Sequence, residues 1–326
     1  MQPLDLLVVE RVIAWLEEGE KVWLCTVLST FGSAPREPGS MMAALCNGEH
    51  IGSLSGGCVE DDFLQRLAAG EFNQACSRVL YGGADNVRER VQLPCDGQLS
   101  VLIELLQPTS ANIQQLRELH ATMVGQRALI RRVSLADGEC QLQPVPGPGP
   151  KAMVDEAQGL AFIRVGPVTR LIIAGVSPVS VACADFAQSL GFEVIVCDPR
   201  PEVRAEVTAS AVQWQPVMPS LFISQPNNCH ADTAIVALTH DPRIDDLAMI
   251  EAVRTEAFYI GVMGSLRTSK ARAARLRRSG GLNDQQIARI TMPIGLNLGS
   301  RTPAEIALAV MADIIRVRRG IRRDAL

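Results

Sequence analysis

The second half of the sequence alternates short apolar segments with helical ones, and this alternation constrains the fold more strongly than any other feature. Buried strands are predicted at RLIIAG (170–175), FEVIVCD (192–198), TAIVALT (233–239) and FYIGVMGS (258–265). Helices are predicted over about 178–190, over about 245–255, in KARAARLRRS and in TPAEIALAVMADIIRVRRG. Strands that alternate with helices form a doubly wound parallel sheet. Ligands of such sheets bind beyond the carboxyl ends of the strands, where the strand order reverses.

The first half has a different rhythm and predicts a separate domain. An amphipathic helix is followed by a buried strand over 21–30 and by a hairpin around Asn47-Gly48. A helix that begins at Cys58, a strand over 98–108 and a helix capped by Thr109 or Ser110 come next. Strands and helices are thus mixed in this half, which predicts a second α/β domain.

The segment PVPGPGP is the clearest break between the halves, because alternating Pro and Gly resist both helix and strand. We therefore predict an N-terminal α/β domain over 1–145, a linker region over 146–165, and a Rossmann-like domain with a doubly wound parallel sheet over 166–326. A length of 326 residues suits two domains of ordinary size.

Composition excludes several classes of protein. Aromatic residues make up 4 % of the chain and the net charge is −4, so we expect no nucleic-acid partner. The nine cysteines are odd in number and lack CxxC spacing, which favours a reduced cytoplasmic protein over a disulfide scaffold or a zinc site. The N-terminal segment carries charges within its apolar run and is not expected to be a signal peptide, and no apolar stretch is expected to span a membrane.

The loop after the first Rossmann strand departs from a dinucleotide fingerprint. Gly175 is in place and Asp198 ends the next strand, but Ser177 and Ser180 stand where glycines would admit a pyrophosphate. Ser177 followed by Pro178 is a good helix cap instead. The pattern favours a Rossmann-like scaffold without a tightly bound dinucleotide, although a phosphate could still rest on the helix N-terminus.

Two further loops follow predicted Rossmann strands. Thr239, His240 and Asp241 either point into the crevice at the switch point or form a plain turn with Asp241 as the cap, and the sequence leaves both interpretations open. Gly264 and Ser265 form an amide-lined turn, beside which Arg267 could meet an anion. The arginines of the next helix are expected to lie on a solvated face: Arg272, Arg275, Arg277 and Arg278.

The first half holds two loops with cysteine and one with arginine. In STFGSAPREPGSMM, a proline-bracketed loop after a buried strand carries Gly32, Ser33 and Arg36, and the arginine could grip a phosphate or carboxylate. In LSGGCVE, two glycines precede Cys58 at a helix start, and LPCDGQL holds Cys95 in another turn. The alternative is that the arginine loop is an ordinary connector and that both thiols are buried in the core. The presence of two thiols on loops of one domain favours a functional role for them over a structural one.

Taken together, GSAPREPGSMM, GSLSGGCVE, YIGVMGSLRTSKAR and PIGLNLGSRTPAEIALAV resemble, in this order, the xanthine dehydrogenase accessory family called XdhC/CoxI. The resemblance extends from about residue 10 to 320. The family's Gly-Ser-x-Pro-Arg motif falls on residues 32–36, and its Ser-Gly-Gly-Cys-x-Glu motif falls on residues 55–60. Its Cys-Gly-Gly turn falls on residues 95–97 with one glycine lost. Its Rossmann opening keeps only Gly175 and Val179.

The resemblance implies a molybdenum cofactor-binding chaperone that supports sulfuration of the cofactor and its insertion into a xanthine dehydrogenase-type molybdenum hydroxylase. The implied partners are that hydroxylase and a cysteine desulfurase. The cofactor is molybdopterin, plain or nucleotide-extended. A cytoplasmic location is expected, and a homodimer is plausible for such proteins. The family is not expected to be catalytic, so no catalytic residue is assigned.

The cofactor is expected in a cleft between the domains, with Cys58 as the leading thiol for a molybdenum or sulfur contact. The residues implied in cofactor binding are Gly32, Ser33, Arg36, Ser55, Gly56, Gly57, Cys58, Glu60, Cys95, Gly175, Asp198, Thr239, His240, Asp241, Gly264 and Ser265. Two rival hypotheses remain: an NAD(P)-dependent oxidoreductase that uses the Rossmann-like domain, and a structural or regulatory protein whose site has decayed.

Overall fold

The computed structural model describes residues 4–31, 36–82, 97–125, 127–145, 150–207 and 212–323. The chain divides into two compact units, with the boundary between Pro167 and Val168. Both units mix helices with sheets, and the C-terminal unit is Rossmann-like, so the predicted fold class is confirmed.

The N-terminal unit contains three helices and nine strands among its described residues. The helices are α1 (Leu4–Glu17), α2 (Cys58–Ala68) and α3 (Ser110–Val124). The strands are β1 (Val22–Phe31), β2 (Met41–Ala44), β3 (His50–Gly52), β4 (Cys76–Tyr81), β5 (Gln98–Leu106), β6 (Leu129–Ser134), β7 (Cys140–Pro144), β8 (Ala152–Asp155) and β9 (Leu160–Val165).

Two antiparallel sheets organise this unit. One has the order β3-β2-β1-β5-β4, and the other has the order β7-β6-β9-β8. Helix α2 packs Val59, Phe63 and Leu67 into the apolar core on one face of the first sheet. A buried ion pair joins the sheets, because Nη2 of Arg131 lies 2.9 Å from one carboxylate oxygen of Glu104 and 3.0 Å from the other.

The predicted linker is one place where the structure differs from the sequence analysis. Strands β8 and β9 lie within the range 146–165 and pair with each other, and β9 also pairs with β6. Much of this range is therefore part of a sheet in the N-terminal unit. Strand β8 is four residues long and none of them is buried, and in β9 the apolar residues LAFI are followed by Arg164. Their place beside the Pro/Gly-rich segment favoured a linker over strands in the sequence.

The C-terminal unit alternates strands with helices. Its strands are β10 (Arg170–Ala174), β11 (Glu193–Cys197), β12 (Val212–Gln215), β13 (Thr233–Ala237), β14 (Tyr259–Val262) and β15 (Ile290–Thr291). Its helices are α4 (Pro178–Ser189), α5 (Pro219–Ile223), α6 (Pro242–Ala252), α7 (Leu266–Arg278), α8 (Asp284–Ala288) and α9 (Pro303–Arg318), together with a 3₁₀ helix over Pro201–Glu206.

All pairings in this sheet are parallel, and the strand order is β12-β11-β10-β13-β14-β15. This is the Rossmann order 3-2-1-4-5-6. Alternate residues of β10 enter two cores: Leu171 and Ile173 pack with α4 and α9, while Ile172 and Ala174 face the core that holds α5 to α8. Helices on both faces make the sheet doubly wound, and the order reverses between β10 and β13.

Candidate functional site

Cys58 is the first residue of α2, and its side chain is exposed. Among the other described cysteines only Cys46, in the turn between β2 and β3, is also exposed. The remaining described thiols are buried or half-buried: Cys25, Cys76, Cys140, Cys183, Cys197 and Cys229. Cys95 lies outside the described residues. The structure thus places Cys58 at a helix start, as predicted, and its thiol is exposed rather than buried.

Glu60 organises the loop before Cys58. Its Oε1 accepts hydrogen bonds from the Ser53 hydroxyl at 2.7 Å and from the backbone N–H groups of residues 54, 55 and 56 at 2.8, 2.9 and 2.9 Å. Its Oε2 accepts from the Ser55 hydroxyl at 2.6 Å and from the Gly57 N–H at 2.9 Å. Glu60 is only 7 % exposed. Ser55, Gly56, Gly57, Cys58 and Glu60, predicted together, therefore form one local structure.

These contacts change the expected role of the glycine loop. The family resemblance implied that Gly56 and Gly57 take part in cofactor binding, but four consecutive amides of this loop already donate to Glu60. Burial alone would raise the pKa of Glu60, yet the hydrogen bonds from Ser55, Gly56 and Ser53 outweigh burial and hold the pKa well below its usual value. The carboxylate is charged and is itself the anion in this loop.

Arg36 adjoins the same loop. Its Nε donates to the backbone oxygen of Ser53 at 3.2 Å, and its Nη2 lies 3.6 Å from a carboxylate oxygen of Asp5 in α1. The guanidinium therefore links the thiol loop to the first helix, and the carboxylate beside it is one of the protein's own. Gly32 and Ser33, from the same predicted motif, lie outside the described residues.

In the C-terminal unit, the loops after β10 and β13 meet at the switch point. Gly175 has φ of +81°, and a Cβ added there would run into Cγ2 of Thr239 and lie 3.1 Å from Cγ2 of Ile244. Glycine is therefore required by both the backbone conformation and the close approach. The structure brings together Gly175 and Thr239, as expected for residues at this edge of the sheet.

Serine side chains close the N-terminus of α4. The Ser177 hydroxyl donates to the Leu238 carbonyl at 2.8 Å and accepts from the Ser180 N–H at 3.2 Å. The Ser180 hydroxyl donates to the Gly175 carbonyl at 2.9 Å, and Ser180 is buried. These contacts confirm Ser177 as the cap and fill the place where glycines would admit a pyrophosphate.

Asp198 is fully buried and bound within the protein. Its Oδ2 accepts from the Val176 N–H at 2.7 Å, and the Arg200 guanidinium donates to both of its oxygens at 2.9 and 2.7 Å. Burial would raise the pKa of Asp198, but the bonds from Arg200 and Val176 lower it below its usual value. The acid that would contact a ribose in a dinucleotide-binding fold instead braces the loop after β10.

The loop after β13 forms the turn with Asp241 as the cap, which is one of the two interpretations that the sequence left open. Asp241 caps α6 by accepting from the Arg243 N–H at 2.9 Å, and hydrogen bonds from Arg243 lower the pKa of Asp241 to about 2. Thr239 donates its hydroxyl to buried Asp245 at 2.7 Å. His240 is exposed and has φ of +66°. Its side chain is the one in this loop that faces solvent most openly.

The turn after β14 leads directly into α7. Ser265 caps the helix by accepting from the Thr268 N–H at 3.2 Å, and a Cβ added at Gly264 would lie 2.6 Å from the Thr268 hydroxyl. Arg267, beside this turn, is exposed.

The solvated face predicted for α7 is wrong for Arg272, which is only 4 % exposed. Its guanidinium donates to Asp245 at 3.1 Å, to Asp246 at 2.7 Å and to the Met263 carbonyl at 2.7 Å. It therefore fixes α7 to α6 and to the end of β14. Two adjacent acids in RIDDL were the available signal for a buried partner.

Two features are absent from the described residues. No group of three or more His, Cys, Asp or Glu side chains is arranged to hold a metal ion within the described ranges. None of the helices that the structure describes is long and apolar enough to cross a membrane.

Comparisons with known proteins cover both units. Residues 171–314 match the family model described as the XdhC Rossmann domain, and residues 15–79 match the model described as the XdhC and CoxI family. The first model spans β10 to most of α9, and the second ends within β4 and includes the Cys58 loop.

Two curated relatives align over nearly the whole chain. One, from Bacillus subtilis (strain 168), is named as a probable subunit of xanthine dehydrogenase and is 28 % identical over 94 % of this chain and 96 % of its own length. Another is named molybdenum cofactor insertion chaperone PaoD, from Escherichia coli (strain K12), and is 27 % identical over 95 % and 87 %. A crystal structure of a xanthine dehydrogenase from Bacillus halodurans has the same fold, with a TM-score of 0.73, 23 % identity, and coverage of 100 % of this chain and 98 % of that one.

Proposed function

Because this chain is a member of the XdhC and CoxI family, we propose that it is a molybdenum cofactor-binding chaperone that inserts the cofactor into a xanthine dehydrogenase-type molybdenum hydroxylase. The observation that carries the proposal is the exposed thiol of Cys58 at the start of α2, inside the segment that the family model matches. One full-length relative is named as such an insertion chaperone.

The chemistry of the donors fits this cargo at the thiol. Thiolates are soft ligands that suit molybdenum or persulfide sulfur, and Cys58 is accessible to either. When bound, the cofactor would supply the molybdenum centre that the hydroxylase needs. The protein's own part is to present a thiol on a fixed backbone.

The phosphate of the cofactor needs a separate anchor, because Glu60 occupies the amides of the thiol loop. We propose that the other implied positions also serve cofactor binding, either by contact or by shaping the loops that make it: Gly32, Ser33, Arg36, Cys95, Gly175, Asp198, Thr239, His240, Asp241, Gly264 and Ser265. Within this set, His240 and Ser265 are exposed side chains, whereas Asp198 shapes its loop from inside.

The proposal includes support for sulfuration of the cofactor, with a cysteine desulfurase as the second partner. It also includes a cytoplasmic location, a homodimer and the absence of substrate turnover. Exposed Cys58 supports the sulfuration step, because its thiolate can attack the outer sulfur of a desulfurase persulfide, which forms a persulfide on Cys58 and releases the desulfurase thiol.

The test is anaerobic purification of the full chain, followed by measurement of molybdenum and pterin per protomer and by transfer to an apo-hydroxylase. We expect both components to copurify and the apo-hydroxylase to gain activity. A chain that carries neither after expression in a host that makes the cofactor, and that fails to activate the apo-hydroxylase, contradicts the proposal.

One observation favours the rival oxidoreductase: the strand order is that of dinucleotide-binding sheets. Three contacts oppose it, because the side chains of Ser177, Ser180 and Asp198 form hydrogen bonds within the protein rather than facing a ligand. We therefore keep the chaperone as the proposed function.

A further inference from the structure

The loop over residues 53–57 has the form of an anion-binding nest. Its consecutive backbone N–H groups converge on one point, and such concavities bind phosphates in many proteins. Gly56 has φ of +93°, and a Cβ added at Gly56 or Gly57 would meet nothing within 4 Å. Packing therefore does not require glycine at either position. The backbone conformation requires it at Gly56, because other residues rarely adopt a positive φ.

The carboxylate of Glu60 fills this nest completely. Oε1 accepts from three N–H groups and the Ser53 hydroxyl, and Oε2 accepts from the Gly57 N–H and the Ser55 hydroxyl. All six partners are donors. Glutamine would turn an NH2 group toward at least one of them, and aspartate is one methylene too short to reach both sides.

We infer that Glu60 is a positioning residue: its carboxylate is the built-in anion of the Ser53–Gly57 loop, where it fixes the backbone that presents Cys58 and closes the loop amides to phosphate. The importance of presenting Cys58 rests on the proposed function. The tests below use no molybdenum cofactor, so their failure is distinguishable from failure of the chaperone hypothesis.

The same fold contains a matched carboxylate for comparison. Glu305 also lies three residues after a helix cap, and its Oε2 accepts from the N–H groups of Arg301 and Thr302 at 2.6 and 3.0 Å. It is exposed and lies in the C-terminal unit. Glu305→Ala therefore removes an ordinary capping-box carboxylate without touching the thiol loop.

The first test is chemical rescue of Glu60→Ala, read by hydrogen exchange of the amides of residues 54–57. Loss of charge-assisted hydrogen bonds should speed exchange by at least about tenfold. Acetate should restore protection, whereas acetamide, its uncharged analogue, should not. Inorganic phosphate should also protect the variant and should leave exchange of this loop in the unaltered chain unchanged.

The second test is the alkylation rate of Cys58 by iodoacetamide, resolved by peptide mass spectrometry, with Cys46 as the internal control. Glu60→Ala should change the Cys58 rate by at least about threefold, because the first turn of α2 is no longer fixed. Acetate should return it to the original value. Cys46 should be unaffected, and Glu305→Ala should alter neither thiol.

The inference is overturned if acetate and acetamide act alike, if phosphate protects the loop of the unaltered chain, or if Cys58 reacts at the same rate with and without Glu60. Should Glu60→Ala not fold, Glu60→Gln retains the side-chain shape and carries the exchange and alkylation measurements. Faster loop exchange and an altered Cys58 rate in that variant support the inference, and unchanged values refute it.

Discussion

At the scale of single residues, Cys58 is the side chain on which the proposed function most depends. Its neighbours explain why it can be changed safely: the hydrogen bonds that hold the turn end on the carboxylate of Glu60 and on backbone atoms, rather than on the thiol. Cys46 offers a second exposed thiol in the same unit. The two cysteines therefore make a matched pair for substitution.

Cys58→Ser should reduce the molybdenum and pterin retained per protomer, because serine lacks the soft sulfur ligand. Substitution of an exposed cysteine should change the free energy of unfolding by no more than about 0.5 kcal/mol. Metal analysis beside thermal unfolding measures both quantities. Cys46→Ser should retain full loading. Equal loading of the two variants would show that Cys58 does not contact the cargo.

Arg36→Ala should lower the free energy of unfolding by about 1 kcal/mol, because it removes the bond to Ser53 and the partner of Asp5. Arg36→Lys should restore only part of this, since lysine lacks the planar fork. If Arg36 also grips the cargo, affinity should fall roughly tenfold or more in both variants. Unchanged urea unfolding of Arg36→Ala would contradict the structural role.

At the scale of elements, the close approach of the loops after β10 and β13 sets the shape of the switch point. Gly175→Ala should destabilise the chain by more than the roughly 1–2 kcal/mol expected for a left-handed alanine, because the new methyl also strikes Thr239. Gly191→Ala is the control, with φ of +79° and open space around the added Cβ. Similar urea midpoints for the two variants would show that the loops separate easily.

The turn before β13 should make stability depend on pH. Burial of His230 lowers its pKa from the usual 6.5 to about 4; the nearby charge of Arg170 acts in the same direction and that of Glu193 opposes it. The Nδ1 atom of His230 accepts a hydrogen bond from the Asp232 N–H at 3.2 Å. The unfolded chain binds the extra proton, so this stability is full above pH 6.5 and is lost as pH falls toward 4. Between pH 7 and 5 the loss should be about 2 kcal/mol.

Urea unfolding at both pH values measures this loss. His230→Asn keeps an acceptor near the position of Nδ1 but does not titrate. Its unfolding free energy should therefore fall by about 2 kcal/mol less between pH 7 and pH 5. An identical pH response in the two proteins would mean that His230 titrates normally.

At the scale of the whole molecule, the strand order alone would suggest a dinucleotide enzyme, and the side chains argue otherwise. NAD(H) and NADP(H) should bind no more tightly than about millimolar, worth roughly 4 kcal/mol, because Ser177 and Ser180 fill the pyrophosphate place and Asp198 is held by Arg200. Calorimetric titration measures this. Saturable binding in the low micromolar range would favour the oxidoreductase.

The four central strands of the Rossmann-like unit were predictable because they are continuous apolar runs, and for the elements predicted in this unit the predicted and observed bounds differ by a few residues. Helix α6, for example, begins at Pro242 rather than near 245, because Asp241 caps it. The edge strands β12 and β15 and the short helices α5 and α8 were not predicted. The second sheet of the N-terminal unit was missed, because β7 and β8 are short and partly exposed. Strand β9 owes its place to pairing with β6, which lies far from it in sequence.

The thiol loop was predictable only in part. The glycines and the helix start at Cys58 are evident in the sequence, and a glutamate three residues after a helix cap is a known capping signal. That this carboxylate would gather four amides and two hydroxyls depends on the path of the loop, which composition does not determine. Burial of Arg272 was hidden for a similar reason, since its acids lie on another helix.

Within the part of the chain that the structure describes, each compact unit is a continuous stretch, and the two divide after Pro167. Every strand of the thiol-bearing unit has therefore left the ribosome while later parts of the 159 residues that follow are still being made. At ordinary synthesis rates those residues take about 8–30 s to add, far longer than most small domains need to fold. The nascent chain can thus display a finished Cys58 loop before the parallel sheet exists.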